Sequence, residues 1–158
     1  ISLYQEAGAK SHLNLNDAYD LKGRLHLALG EPDTAAEWAQ RSHDLLEEAT
    51  GTGSRESVEW GRYQRLVGLI AQAQGDLETA ARRLDQAAAT FQASNSRWEA
   101  ARNHYRRGLL LWEMEEADRA REALKEALDQ FKELGATGDQ QRVELALTRL
   151  EASAGSEE

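Results

Sequence analysis

Gly108–Phe131 reads GLLLWEMEEADRAREALKEALDQF. The same frame occurs twice earlier, as GLIAQAQGDLETAARRLDQAAATF over Gly68–Phe91 and GRLHLALGEPDTAAEWAQRSHDLL over Gly23–Leu46. Each copy opens on glycine. Gly30, Gly75 and Glu115 come seven residues later, and Ala35, Ala80 and Ala120 twelve later. Ala39, Leu84 and Leu124 come after sixteen, Ser42, Ala87 and Ala127 after nineteen, and Leu46, Phe91 and Phe131 after twenty-three. The copies are spaced by 45 and then 40 residues. A period of this length marks a solenoid, whose units bury their apolar faces only by stacking on one another. Solenoids offer a long face to a partner and seldom carry chemistry of their own.

Composition agrees with helices. Of 158 residues, 41% are hydrophobic and 30% charged, and Pro32 is the only proline. Ala, Leu, Glu, Gln and Arg are strong helix formers, and scarce proline lets helices run unbroken. There is no cysteine, which excludes disulfides and thiolate metal sites. No stretch approaches the roughly 20 apolar residues of a membrane span. The net charge of −9 argues against non-specific nucleic-acid binding, which needs a basic footprint.

Each copy reads as two helices. First helices are expected near Leu13–Leu29, Arg55–Gln74 and Arg97–Met114, second helices near Asp33–Ala49, Leu77–Ala93 and Ala117–Leu134, and a seventh near Asp139–Ala152. Gly30 and Gly75 fall where a tight turn needs positive φ. Pro32 suits an early helical position, and Asp33 favours the helix dipole there. Gly51–Ser54 forms a looser junction, with Ser54 as an N-cap candidate.

Shifted back by one period, Leu46–Glu56 falls on Ile1–Ser11. Residues 1–12 therefore read as the end of a preceding repeat, 13–153 as three helix pairs plus a C-terminal capping helix, and 154–158 as a disordered tail. A chain opening on Ile1 agrees with a fragment of a longer protein. Apolar residues such as Leu13 and Leu15 then lack their natural cover, and either a homodimer through the end repeats or local disorder at the start is expected.

The spacing of Gly23/Gly68/Gly108, Ala35/Ala80/Ala120 and Ser42/Ala87/Ala127 resembles the tetratricopeptide repeat, which has a small residue at position 8 and alanines at positions 20 and 27. The resemblance covers nearly the whole chain, with a period longer than the family's usual 34 residues and no closing proline. It implies an all-α fold: an α-solenoid of antiparallel helix pairs, a right-handed superhelix of about seven helices. Long helices of this kind resemble a variant found in large bacterial LuxR-type ATP-dependent transcription regulators, and Ala127–Ala136 looks particularly like those proteins. The resemblance implies a cytoplasmic protein- or peptide-binding scaffold within a bacterial signalling or transcription-regulatory protein, with no enzymatic activity and no cofactor.

In the resembling family the first helices line a concave groove. Carried over, its positions include Arg24 in the first repeat, Arg62 and Arg65 in the second, and Arg102, Tyr105, Arg106 and Trp112 in the third. Arginine forks pair bidentately with carboxylates, so the groove suits an acidic peptide, and Tyr105 and Trp112 add anchor surface. The same arginines also read as solvated faces of amphipathic helices, balanced by Glu56, Glu59 and Glu99. Some family members clamp a partner's C-terminal carboxylates. Arg102 and Arg106 fit two clamp positions, but Asp20 and Leu66 do not fit theirs and Arg24 replaces an Asn, so that specificity is not expected.

His12, His26, His43 and His104 lack both the Glu-x-x-His pair of a di-iron bundle and the four-residue His spacing of a zinc helix, so no metal site is expected. Gly51-Thr52-Gly53 lacks the Gly-Lys-Ser/Thr of a phosphate loop. Trp60 and Trp98 are expected to wedge between repeats. Two further readings stand beside the scaffold: a small-molecule or signal-peptide sensor using Arg62, Arg102 and Tyr105, and a structural self-association element.

Overall fold

The computed structural model describes residues 3–50 and 55–156. Among them are seven helices and no strand: α1 (Leu3–Ala28), α2 (Pro32–Thr50), α3 (Val58–Ala73), α4 (Leu77–Ala93), α5 (Arg97–Glu113), α6 (Ala117–Glu133) and α7 (Thr137–Gly155). The fold is all-α, built from antiparallel helix pairs. The chain divides at Ser94/Asn95 into two compact units, α1–α4 and α5–α7.

The pairs form because three residues join them, too few for anything but a tight reversal. Residues 29–31 lead from α1 to α2, 74–76 from α3 to α4, and 114–116 from α5 to α6. Each of these turns is a Schellman motif. At the end of α5 the Glu116 N–H donates to Leu111 O at 2.9 Å and the Glu115 N–H to Trp112 O at 3.0 Å. The Gly30/Glu31 and Gly75/Asp76 amides bond in the same way, as do Gly135 and Ala136 between α6 and α7. The motif needs a left-handed residue, supplied by Gly30 (φ 76°), Gly75 (φ 84°) and Gly135 (φ 66°) and, against preference, by Glu115 (φ 64°).

Inside the first unit α1 packs on α2, α3 on α4, and α1 and α2 both meet α3. Ala35, Ala39, Leu66 and Ile70 form one buried cluster there, flanked by Leu27, Ala36, Tyr63 and Val67. Ala80, Leu84, Ala87 and Phe91 are buried on α4. Inside the second unit α6 packs on α5, and α7 lies on both. Its core joins Leu111, Leu124, Ala127, Phe131, Val143 and Leu150. Ala35, Ala80 and Ala120 are each wholly buried, and each is the fourth residue of its second helix. Their equivalence is what the repeat alignment requires. Gly108 shows how close the helices come: a Cβ there would sit 2.7 Å from the Leu124 side chain.

Some boundaries differ from those the pattern suggests. Helix α3 starts at Val58, not Arg55, and its N-cap is Ser57, whose hydroxyl accepts from the Trp60 N–H at 3.4 Å. The Ser54 cap lies outside the described residues. Helix α7 begins two residues earlier than expected and continues through Ala154 and Gly155, while 157–158 lie outside the described residues. Helix α1 runs without a break through 11–13, where the alignment places a repeat boundary. Ala9–Leu13 contains neither glycine nor proline to end it. The side chain of Leu13 is outside the described residues.

Candidate functional site

The arginines of the first unit are held by their neighbours. Asp20 is buried on α1 and accepts from Arg24 Nε at 2.9 Å. Burial pushes the Asp20 carboxyl above the ordinary carboxylate value, and Arg24, Arg65 and Arg62 pull it partway back. Arg62 donates to Asp17 Oδ1 at 2.7 Å, which ties α3 to α1. Arg65 is only 4% exposed, and its guanidinium lies 5.1 Å from the Phe91 ring centre. The structure thus brings Arg24, Arg62 and Arg65 together around Asp20. It places them in a charge-compensated network, with Arg65 packed inside it.

In the second unit the first helix is α5. Arg102 stacks 4.6 Å from the centre of the Trp98 ring, and Arg106 lies 6.0 Å from that of Tyr105. Arg106 is exposed, whereas Tyr105 and Trp112 pack partly against the core. Trp98 is 44% exposed, so within its unit it is not the wedge expected of it. Trp60 is buried and makes edge contacts with His43 and Tyr63 at 5.7 Å.

Polar rungs join the helices of each pair, and in the second and third pairs they stand at repeat-equivalent positions. Thr90 donates its hydroxyl hydrogen to Gln64 Oε1 at 2.8 Å, and 40 residues on, His104 Nδ1 meets Gln130 Oε1 at 2.9 Å. Asn16 donates to Ser42 Oγ at 2.9 Å in the first pair. These rungs set the register of the pairs, and residue-type matching overlooks them because the partners change from repeat to repeat. His26 engages Glu31 at 2.6 Å. Among the described residues no three His, Asp or Glu side chains gather as a metal site would need. His12 has no described side chain.

A pocket that sequence reasoning did not find lies on the other side of α3. It is lined by His43, Arg55, Trp60, Tyr63, Gln64 and Arg83. At 100° per residue, positions 60, 63 and 64 share one face of the helix and 62, 65 and 66 the opposite one. The signal in the sequence is Trp60-x-x-Tyr63-Gln64, an i, i+3, i+4 set that gathers two aromatics and an amide on the face away from the arginines.

Residues 101–131 match the family model of the tetratricopeptide repeat. The match opens at Ala101, which is position 1 if Gly108 is position 8. That match and the all-helical pairs support a tetratricopeptide-type domain. Repeats of this family are typically non-catalytic scaffolds that mediate protein–protein interactions. A comparison with curated proteins gave no match. Among the described residues no helix is long and apolar enough to cross a membrane.

Proposed function

We propose that this chain is a protein- or peptide-binding scaffold module of a larger bacterial signalling or transcription-regulatory protein, working in the cytoplasm. The observation that carries the scaffold reading is the repeat match over 101–131, on a helix pair with the turn geometry of its predecessors. The binding face proposed lies on the first helices, within each unit by itself, and the partner is an acidic segment. On α5 Arg106 is exposed and Arg102 lies one turn before it, with Trp98 and Tyr105 as apolar flanks. Arg62 takes part by exchanging Asp17 for a partner carboxylate. Arg24 and Arg65 stand beside Arg62 in the first unit's network around Asp20.

The test uses a synthetic peptide array of acidic segments on the intact chain. Replacing Arg102 and Arg106 with Ala is expected to weaken the best acidic binder at least tenfold at low salt and flatten its salt dependence. Replacing Arg119 and Arg121, which pair with Glu116 and Asp118 on α6, is expected to change little. Unchanged binding in the Arg102/Arg106 variant sinks this reading.

A second reading, self-association through α1, is favoured by a specific observation. Leu15, Leu21, Leu25 and Leu29 are 42%, 59%, 54% and 61% exposed. Their spacing puts Leu15, Leu21 and Leu25 within one stripe of α1, with Leu29 just past its end, and a stripe of exposed leucines suits an interaction surface.

A further inference from the structure

The pocket behind α3 carries its own chemistry. Its volume is about 200 Å³, room for a side-chain-sized group. Three of its lining residues keep a buried nitrogen with no hydrogen-bond partner: Arg83 Nε, Trp60 Nε1 and His43 Nδ1. Trp60 is itself only 2% exposed. Buried donors in native proteins are normally satisfied, so the Arg83 and Trp60 N–H groups, with an imidazole nitrogen beside them, point to an acceptor.

The charges narrow the choice. Arg55 is already ion-paired with Glu47 and lies over the Trp60 ring. Arg83 has no carboxylate within ion-pairing distance among the described residues. Its Nη1 makes only a long bond to Gln86 Oε1, at 3.4 Å, and its charge reaches the Tyr63 hydroxyl. The acceptor wanted is therefore an anion. Asp44 stops 3.5 Å from His43 Nδ1, too far for a good bond, and Glu47 lies 3.8 Å from His43 Nε2. Two carboxylates so near disfavour a doubly charged guest. His43, Trp60 and Tyr63 contact one another at 5.3–5.7 Å and form an aromatic wall for a short apolar body. We propose that this pocket binds a carboxylate of small size, with Arg83 as counter-ion and the Trp60 indole N–H as a second donor. The carboxylate comes either from a free organic acid or from an acidic side chain of a polypeptide, and the site is independent of the first-helix face.

The test follows the Trp60 indole N–H resonance of the intact, ¹⁵N-labelled chain, assigned with Trp60→Phe. Benzoate, acetate, N-acetyl-glutamate α-amide and inorganic phosphate are titrated at constant ionic strength. A saturable shift with a carboxylate is expected, weakened at least tenfold by Arg83→Gln and unchanged by Arg142→Gln. If Arg83→Gln loses its helical circular-dichroism signal, Arg83→Lys replaces it, and the loss of the planar fork is expected to weaken binding at least threefold. Preference for benzoate assigns a free organic acid; preference for the glutamyl amide assigns a polypeptide side chain. Tighter binding of phosphate, no saturable shift with any probe, or full affinity without Arg83 would overturn the proposal.

Discussion

Glu115 holds a backbone conformation that glycine holds at the equivalent turns. Its φ of 64° satisfies the Schellman bonds at the end of α5 but crowds its own Cβ. Glu115→Gly is expected to raise stability by about 0.5–1 kcal/mol, read by chemical denaturation. The converse holds at Gly108, where the Leu124 side chain fills the space a Cβ would take. Gly108→Ala is expected to cost about 1–3 kcal/mol through overpacking. Asp20 gives a pH signature. Its folded value is raised by burial, so its ionised form opposes folding at neutral pH. That opposition is fully present above the raised value and fades as pH falls towards the ordinary one. Asp20→Asn is therefore expected to gain on the parent at neutral pH, with the gap closing near pH ~4, where ordinary carboxylates titrate. A carboxyl-carbon titration of Asp20 with a midpoint at or below the ordinary value contradicts this.

Among the helices, capping makes the difference. Asp76 precedes α4, and its Oδ1 accepts from the Thr79 N–H at 3.0 Å. Bonds to Thr79 hold its carboxyl below the ordinary value. A depressed value adds stability above the unfolded pKa, lost as pH falls through the folded one. Asp76→Ala is expected to be less stable than the parent at neutral pH and to converge with it in acid, followed by thermal melts across pH. The N-cap positions of α5, α6 and α7 show no such side-chain bond. Those helices rest on the Schellman turns and on packing, and α6 buries Ala120, Ala123, Leu124, Ala127 and Phe131 along one side. The polar rungs Gln64–Thr90 and His104–Gln130 fix how one helix of a pair slides along the other.

At the scale of the whole chain, the self-association proposed above would run through the exposed leucines of α1. Leu21→Glu with Leu25→Glu is expected to abolish any concentration-dependent association seen by sedimentation, leaving the helical circular-dichroism signal in place. A parent chain that stays monomeric at every concentration counts against self-association. The repeat register was legible in the sequence. Gly30, Gly75 and Glu115 recur because a three-residue reversal has few backbone solutions, and each demands a left-handed residue at one place. The buried alanines recur because paired helices must approach closely at the same depth. The arginines of the first helices were legible only as positions.

Helix pairs, the places of their turns and the small residues that fill their seams are all specified locally in the chain. They follow from backbone geometry and from the 3.6-residue period, both of which are written along one chain segment. What the charges do was settled by the packing of one helix on another. Arg62 found Asp17, 45 residues away; Arg65 sank over Phe91; and Arg83 joined His43 and Trp60 around a pocket. Ion pairing and burial depend on distances between helices, and no spacing within a single helix specifies them.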